Sequence, residues 1–161
     1  MKFLIDTFSW KKFDLLSEEN LFKVSNLYNW AEIFITHEVK TEIEHFELKS
    51  CNFKATIILP IKNHTIFQDA KSLEFDQADA EILSNGNLYG DLCIISEDKP
   101  LLLFAIGYSL KAIQVIDFFQ VLNNLELLKN RDLFQINRFL REKKNITKRK
   151  ASDIKKWLSK H

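Results

Sequence analysis

The sequence predicts an α/β fold with three layers, α/β/α, in which a central, mostly parallel sheet lies between helices and further helices follow at the C-terminus. Two observations lead to this prediction. Residues 3–5 and 92–95 are short apolar runs followed by acidic residues, a pattern typical of strands buried on both faces. Segments with the helical spacing of apolar residues separate such runs, so strand and helix alternate along the chain.

The first half of the chain contains two clear strand candidates and two helical segments. Residues 2–5 are predicted to form the first strand, and residues 8–30, rich in large apolar side chains, a helical region. Residues 33–35 are predicted to form the second strand, after which Thr36 caps a helix that runs to about residue 49. Residues 56–61 are ambiguous, because Pro60 breaks a strand-like run.

The second half alternates in the same way. A helix is predicted over residues 77–88, a strand over 92–95 and a helix over 100–110. Residues 112–116 are predicted to form the last strand, and the remainder of the chain three helices.

Composition limits the classes of protein to which the chain can belong. Its 161 residues, 46% hydrophobic, suffice for one domain with a packed core. Three glycines are too few for the glycine-rich loops of nucleotide-binding proteins. We expect a cytoplasmic protein, because the sequence shows neither a signal peptide nor an apolar run of about 20 residues, and because Cys51 and Cys93 are read as reduced thiols.

Two acids follow predicted strands directly. Asp6 comes after the first strand, and Ser96, Glu97 and Asp98 come after the strand at residues 92–95. The carboxyl ends of parallel strands meet at one edge of a sheet, where α/β folds form their ligand crevices. Alternatively, Asp6 and Asp98 each cap the helix that follows.

Two further acids lie on or beside the apolar stripes of predicted helices. At 100° per residue, Asp79 falls within an apolar face and Glu42 at the edge of one, whereas Glu44 and Glu81 are predicted to face solvent. A buried carboxylate must be protonated, capped or bound to a cation, because an unpaired buried charge costs several kcal/mol. Alternatively, Asp79 pairs with Asp76 in a helix cap, and Glu42 is an ordinary surface acid.

The four acids occur in a recognisable order. The segments Leu-Ile-Asp6-Thr, Thr-His-Glu-Val-Lys-Thr-Glu42-Ile, Ala-Asp79-Ala-Glu-Ile-Leu and Ile-Ile-Ser-Glu-Asp98-Lys together resemble the PIN domain, the nuclease fold of VapC-type toxins and of several RNA-processing factors. The resemblance implies a PIN-like nuclease core over residues 1–120 and a basic helical extension over residues 121–161, packed on the same domain. Glutamate is frequent in the family at the position of Asp79.

The resemblance also implies a chemistry. The family's catalytic and metal-binding acids map onto Asp6, Glu42, Asp79 and Asp98, and the implied activity is a hydrolase that cuts RNA with Mg²⁺ or Mn²⁺. Asp6 and Asp98 are the expected direct ligands, Asp79 completes the cluster, and Glu42 binds metal or orients the attacking water. Which of Glu97 and Asp98 points inward stays open.

Several further residues have two interpretations. Asp117 is a weaker fifth candidate ligand that is better explained as a helix cap, and Thr7 and Ser96 are candidates to support the acids by hydrogen bonding. Trp157 could stack on an RNA base, but its helical stripe with Ala151 and Ile154 favours docking on the body of the protein.

Charge along the chain is strongly asymmetric. Residues 138–161 carry ten basic and two acidic side chains, a net charge of +8, whereas residues 1–137 carry 13 basic and 20 acidic ones, a net charge of −7. A basic tail on an acidic body suggests a polyanion such as RNA as partner, or simply a solvated helical surface. The family resemblance adds an antitoxin protein and a second copy of the chain as candidate partners, and a catalytically silent RNA- or protein-binding module as the alternative function.

Overall fold

The computed structural model describes residues 1–160 and contains one five-stranded, all-parallel sheet in the order β3-β2-β1-β4-β5. The strands are β1 (Lys2–Ile5), β2 (Glu32–Thr36), β3 (Thr56–Leu59), β4 (Leu92–Ile95) and β5 (Ala112–Ile113). Helices flank the sheet, so the predicted α/β class with three layers is confirmed.

The helices of the described chain connect the strands and then continue beyond the sheet. They are α1 (Thr7–Glu18), α2 (Leu27–Trp30), α3 (His37–His45), α4 (His64–Ser72), α5 (Gln77–Asn85), α6 (Lys99–Gly107), α7 (Val115–Asn124), α8 (Asn130–Glu142) and α9 (Lys148–Leu158), with a 3₁₀ turn at Val24–Asn26 before α2. None of the helices within residues 1–160 is long and apolar enough to cross a membrane.

Strand β1 lies at the centre of the sheet because it pairs on both sides. Leu4 is in register with Phe34 of β2 on one side and with Ile94 of β4 on the other. All three side chains are at most 1% exposed, as expected for strands of a parallel sheet that is covered on both faces. The residues that follow β1 and β4 are therefore neighbours.

The first two predicted helical segments are wrong in extent. The region predicted as helical over residues 8–30 is interrupted after Glu18, and Asn20 adopts a left-handed backbone with φ of 57°. The helix after Thr36, whose side chain accepts the capping hydrogen bond from the N–H of Val39, ends at His45 and not at residue 49. Glu47, with φ of 52°, directs the chain away there, because a left-handed residue cannot continue a right-handed helix.

The last strand is also shorter than predicted. It ends at Ile113, and the residues predicted to complete it, Val115 and Ile116, begin α7. The buried side chains of α7 recur with helical spacing; they are Val115, Ile116, Phe118, Phe119 and Leu122. The strand over residues 56–61 ends before Pro60, and the helices over 77–88 and 100–110 end at Asn85 and Gly107. Helix α4 was not predicted.

The C-terminal helices share the core of the sheet domain. Buried side chains of α8, including Leu133 and Ile136, and of α9, Ala151 and Ile154, belong to the same apolar cluster as β1 and β4. Trp157 packs against this cluster, as its helical stripe predicted. Helix α7 runs through residue 120, so the chain continues as one helix from the predicted core into the predicted extension.

Candidate functional site

The four predicted acids line one cavity. Asp6, Glu42, Asp79 and Asp98 all contribute to the wall of a cavity of about 500 Å³, here called the acid cavity. Asp6 directly follows β1 and Asp98 lies three residues beyond β4, so these neighbouring parallel strands deliver both to the carboxyl edge of the sheet. Helices α3 and α5, which contact each other, supply the other two acids.

Asp6 is the most deeply buried of the four acids, with 3% of its surface exposed. Its carboxylate accepts hydrogen bonds from the main-chain N–H of Ser9 at 2.6 Å and of Glu97 at 3.3 Å. Burial raises the pKa of Asp6, and hydrogen bonds from Ser9, Ser96 and Glu97 offset part of that increase. Asp6 therefore caps α1, as its alternative interpretation predicted, and also lines the cavity.

Asp98 has the same double placement. One of its carboxylate oxygens, Oδ2, accepts a hydrogen bond from the N–H of Leu101 at 2.8 Å and so caps α6. The N–H of Asp98 itself donates to Oγ of Ser96 at 3.0 Å, which fixes the turn after β4. The half-buried side chain contributes to the cavity wall.

Glu42 is held against the start of α1. Its half-buried carboxylate accepts a hydrogen bond from Oγ1 of Thr7, the residue next to Asp6. On the other side of α3, Glu44 is exposed and pairs with Lys40 at 3.6 Å. Glu42 and Glu44 therefore face as the helical angles predicted.

Asp79 has the least satisfied carboxylate of the four. Its main-chain N–H donates to the capping side chain of Asp76 at 2.8 Å, but within residues 1–160 its own carboxylate accepts no hydrogen bond. Burial and, to a smaller extent, the negative charges of Asp76, Asp98, Asp6 and Glu42 together raise the pKa of Asp79 to about 7. The charges of the cavity are therefore close enough to influence one another.

Glu81 does not face solvent, contrary to the prediction. It is 7% exposed, and its carboxylate accepts hydrogen bonds from the N–H of Glu38 at 3.0 Å and from Nε2 of Gln77 at 2.9 Å. The angle within α5 was not enough to predict this, because the first turn of α3 covers that side of the helix. Glu81 thereby joins the two helices that carry Glu42 and Asp79.

The side chains of the neighbouring residues Glu97 and Asp98 face different parts of the protein. Glu97 turns away from the acid cavity and pairs with Nζ of Lys12 at 2.7 Å, while also accepting a hydrogen bond from the N–H of Val115 at 2.9 Å.

Asp117, in the first turn of α7, pairs with Lys150 and does not line the cavity. The cap position before α7 is held by Gln114, so the helix-cap interpretation of Asp117 was wrong.

The cavity contains residues that the sequence analysis did not assign to it. Glu74 and Asp76 add two acids to its wall, and Phe8, Leu73 and Phe75 supply apolar surface. Phe8 and Leu73 are 62% and 64% exposed, an unusual position for large apolar side chains. The capping pattern identified Asp76, but no sequence signal places Leu73 or Glu74 there.

The donor chemistry of the cavity suits a hard divalent cation. Every candidate ligand is a carboxylate, the type of ligand that Mg²⁺ and Mn²⁺ prefer. Within residues 1–160, however, no three Asp, Glu, His or Cys side chains are arranged to hold a metal ion. Asp6 and Asp98 direct carboxylate oxygens toward main-chain N–H groups of the helices that they cap. A carboxylate offers about four lone-pair sites, so capping leaves capacity for an ion, and Asp79 is uncommitted.

Comparison with known proteins adds no relative. No protein-family model matches the chain, and no similar protein is found among curated proteins or solved structures.

Proposed function

We propose that the protein is a PIN-type endoribonuclease that depends on Mg²⁺ or Mn²⁺. The observation that carries this proposal is the convergence of Asp6, Glu42, Asp79 and Asp98 on one cavity at the carboxyl edge of a parallel sheet. These acids are separated by up to 92 positions in the chain, and each arrives from a different strand end or helix. The raised pKa of Asp79 supports it further, because clustered carboxylates are stabilised by a cation.

Each acid has a role that follows from its position. Asp6 and Asp98, fixed by the helix caps, would hold the cation together with Asp79, whose carboxylate accepts no hydrogen bond within residues 1–160. When bound, the cation offsets the negative charge that develops on the phosphate during in-line attack by water. Glu42 accepts the proton of that water, and the hydroxyl of Thr7 orients its carboxylate.

The competing proposal is a PIN-like module without catalytic activity. It is favoured by one observation, namely that the carboxylates of Asp6 and Asp98 already serve as helix caps and form no three-residue metal site within residues 1–160. In that case the acids stabilise helices and the fold binds RNA or protein.

A cleavage assay distinguishes the two proposals. Wild type, Asp6→Asn and Asp153→Asn are incubated with a labelled, unstructured RNA and Mn²⁺, with EDTA as a blank. Asparagine caps helices as well as aspartate, so the first variant keeps the cap of α1, while it removes the negative charge and one of the two acceptor oxygens. Asp153 is an exposed acid of α9 and serves as the matched control. We expect cleavage by wild type and by Asp153→Asn, and a loss of at least 100-fold in Asp6→Asn; equal activity of all three proteins would exclude Asp6 from the reaction.

A role as the toxin of a toxin–antitoxin pair is a narrower proposal that rests on the same site. It predicts a small reading frame next to this gene whose product copurifies with the chain and inhibits cleavage. Cleavage without such an inhibitor would keep the nuclease and remove the toxin role.

A further inference from the structure

Two clefts lie beside the acid cavity, and the nearer one follows α1. The first, here called the lysine cleft, has a volume of about 440 Å³ and is lined by residues that include Phe8, Lys11, Lys12 and Lys144. A second cleft of about 300 Å³ continues from it and shares Lys144. Phe8 belongs to the wall of both the acid cavity and the lysine cleft. The three depressions therefore adjoin one another in sequence, and the exposed Phe8 side chain lies between the acid cavity and the lysine cleft.

The lysines along these clefts differ in whether their charge is already used. Lys12 is bound on two sides, by Glu97 at 2.7 Å and by the carbonyl oxygen of Asn145 at 2.9 Å, and Lys150 pairs with Asp117. Within residues 1–160, Lys11 and Lys144 make no ion pair. These two cations are available to an anionic ligand.

Both free lysines have defined positions. The ammonium group of Lys11 lies 4.9 Å from the ring centre of Phe8 and 3.3 Å from that of Phe46, so two aromatic rings hold it. Lys144 occupies the turn between α8 and α9 with φ of 57°, and the next residue, Asn145, is attached to α1 by Lys12. The turn therefore stays beside the lysine cleft.

The acid cavity itself repels a polyanion, because six carboxylates line it. A ligand with a phosphate backbone needs attraction just outside the cavity, and the two free lysines lie along the clefts that lead from it. An exposed aromatic ring between them offers the flat surface on which an unpaired base stacks. Bases in a duplex already stack on their neighbours, so the combination selects single strands.

We propose that Phe8, Lys11 and Lys144 form a binding track for single-stranded RNA that leads out of the acid cavity. Phe8 stacks on a base at the cavity entrance, and the two lysines contact backbone phosphates beyond it. The inference rests on the proposed nuclease function and assigns its substrate as single-stranded. Within the basic C-terminal region it assigns RNA contact to Lys144 and not to α9.

The test measures binding in EDTA, so that cleavage does not interfere. Full-length wild type, Phe8→Ala, Lys11→Gln and Lys144→Gln are titrated with a labelled single-stranded RNA and with the corresponding duplex, over a range of salt concentrations. Truncation of the tail is unsuitable, because Ile146, Ala151 and Ile154 belong to the core. Thermal melting confirms that each variant is folded.

The chain offers a matched control pair. Phe134 of α8 is 43% exposed, and Nζ of Lys155 lies 5.9 Å from its ring centre, which reproduces the pairing of Phe8 with Lys11 on another surface. Neither control residue lines the acid cavity or the two clefts. Phe134→Ala and Lys155→Gln therefore report the effect of losing an exposed ring or a tail charge in general.

The track predicts a specific pattern of results. Phe8→Ala lowers the affinity for single-stranded RNA about 5-fold or more and leaves duplex binding unchanged. Lys11→Gln and Lys144→Gln each reduce the slope of log affinity against log salt by about 0.7, and Lys11→Arg restores it. Control variants that weaken binding as much as these, or a Phe8→Ala variant with wild-type affinity, would overturn the track.

The track and the nuclease activity can fail separately. Metal-dependent cleavage that requires Asp79, combined with unchanged RNA binding by the Phe8 and lysine variants, would overturn the track alone. Conversely, the Phe8 and lysine variants could weaken binding of an RNA that wild type does not cleave in Mn²⁺. That result would support the binding track and overturn the proposed nuclease activity.

Discussion

The carboxylate of Glu81 accepts a hydrogen bond from the main-chain N–H of Glu38, 43 positions earlier in the chain, at 3.0 Å. The bond joins α5 to the first turn of α3, where an unpaired N–H group and the positive end of the helix favour an acid. Because Asp79 and Glu42 are carried by these two helices, Glu81 helps to set the width of the acid cavity without lining it.

Replacement of Glu81 should destabilise the fold. Glu81→Ala leaves the N–H of Glu38 without its partner, so we expect the free energy of unfolding to fall by about 2 kcal/mol, measured by urea denaturation. Glu44→Ala, an exposed glutamate of α3, is the matched control and should change it by less than about 0.5 kcal/mol. Equal effects of the two variants would contradict a structural role for the Glu81 contact.

The raised pKa of Asp79 predicts a pH dependence of stability. A carboxyl group whose pKa is about 7 in the folded protein and about 3.9 when unfolded binds protons more strongly in the folded state. Without divalent cations, the contribution of Asp79 to the free energy of unfolding should therefore be most favourable below about pH 4. This contribution should be lost as the pH rises through 7. Asp79→Asn should flatten much of this slope and be more stable than wild type at pH 8 by on the order of 1 kcal/mol, allowing for solvent screening at a half-buried site.

The same experiment contains its own check. The pKa of Asp6 is also raised by burial, so the stability of Asp79→Asn should still decrease with pH, but less steeply than that of wild type. Asp153→Asn, on the exposed surface of α9, should melt like wild type at every pH. A wild-type melting temperature that rises between pH 5 and pH 8 would contradict the assignment to Asp79.

Divalent cations should stabilise the folded protein. At 100 times the dissociation constant, Mn²⁺ or Mg²⁺ contributes about 2.7 kcal/mol, equivalent to an increase of roughly 5–10 °C in melting temperature. The increase should be larger at pH 8 than at pH 5, because protons compete for the carboxylates. Glu42→Gln should reduce it, because the wall of the acid cavity loses a negative charge, whereas Glu44→Gln on the opposite face of α3 should not; an identical response of both variants would show that the charge of Glu42 does not act on the bound cation.

Lys12 and Glu97 should be strongly coupled. Their side chains are 10% and 13% exposed, so Lys12→Met leaves a nearly buried carboxylate without its cation. We expect a loss of about 3 kcal/mol in the free energy of unfolding, partly recovered in the double variant with Glu97→Gln, as measured by a double-mutant cycle. The exposed pair of Lys40 and Glu44 provides the comparison, for which Lys40→Met should cost less than about 0.5 kcal/mol.

The sequence predicted what depends on local pattern. The apolar runs located β1 and β4, and Asp6 and Asp98, which follow them, line one cavity as expected for neighbouring parallel strands. The alternation of strand and helix predicted the parallel sheet. Helical angles placed Glu42 and Asp79 toward the interior, because their own helices carry the apolar residues that define that side.

Contacts between distant segments account for the errors. The prediction that Glu81 faces solvent was wrong because its hydrogen-bond partner, the N–H of Glu38, belongs to another helix. The angles within α5 contain no information about that helix. Glu97 and Asp98 could not be distinguished because the residue that binds Glu97 is Lys12, 85 positions away. Val115 and Ile116 were predicted as strand because β-branched residues favour strands, although the spacing through Leu122 was helical.

The central position of β1 has a consequence for biosynthesis. Strand β1 precedes both of its neighbours in the chain, β2 and β4, and β4 ends only at Ile95. Until then one edge of β1 stays open, and Asp6 has no Glu97 from which to accept a hydrogen bond. During synthesis an unpaired edge of β1 is therefore exposed until Ile95 has been added, and the hydrogen bond from Glu97 to Asp6 forms only after that.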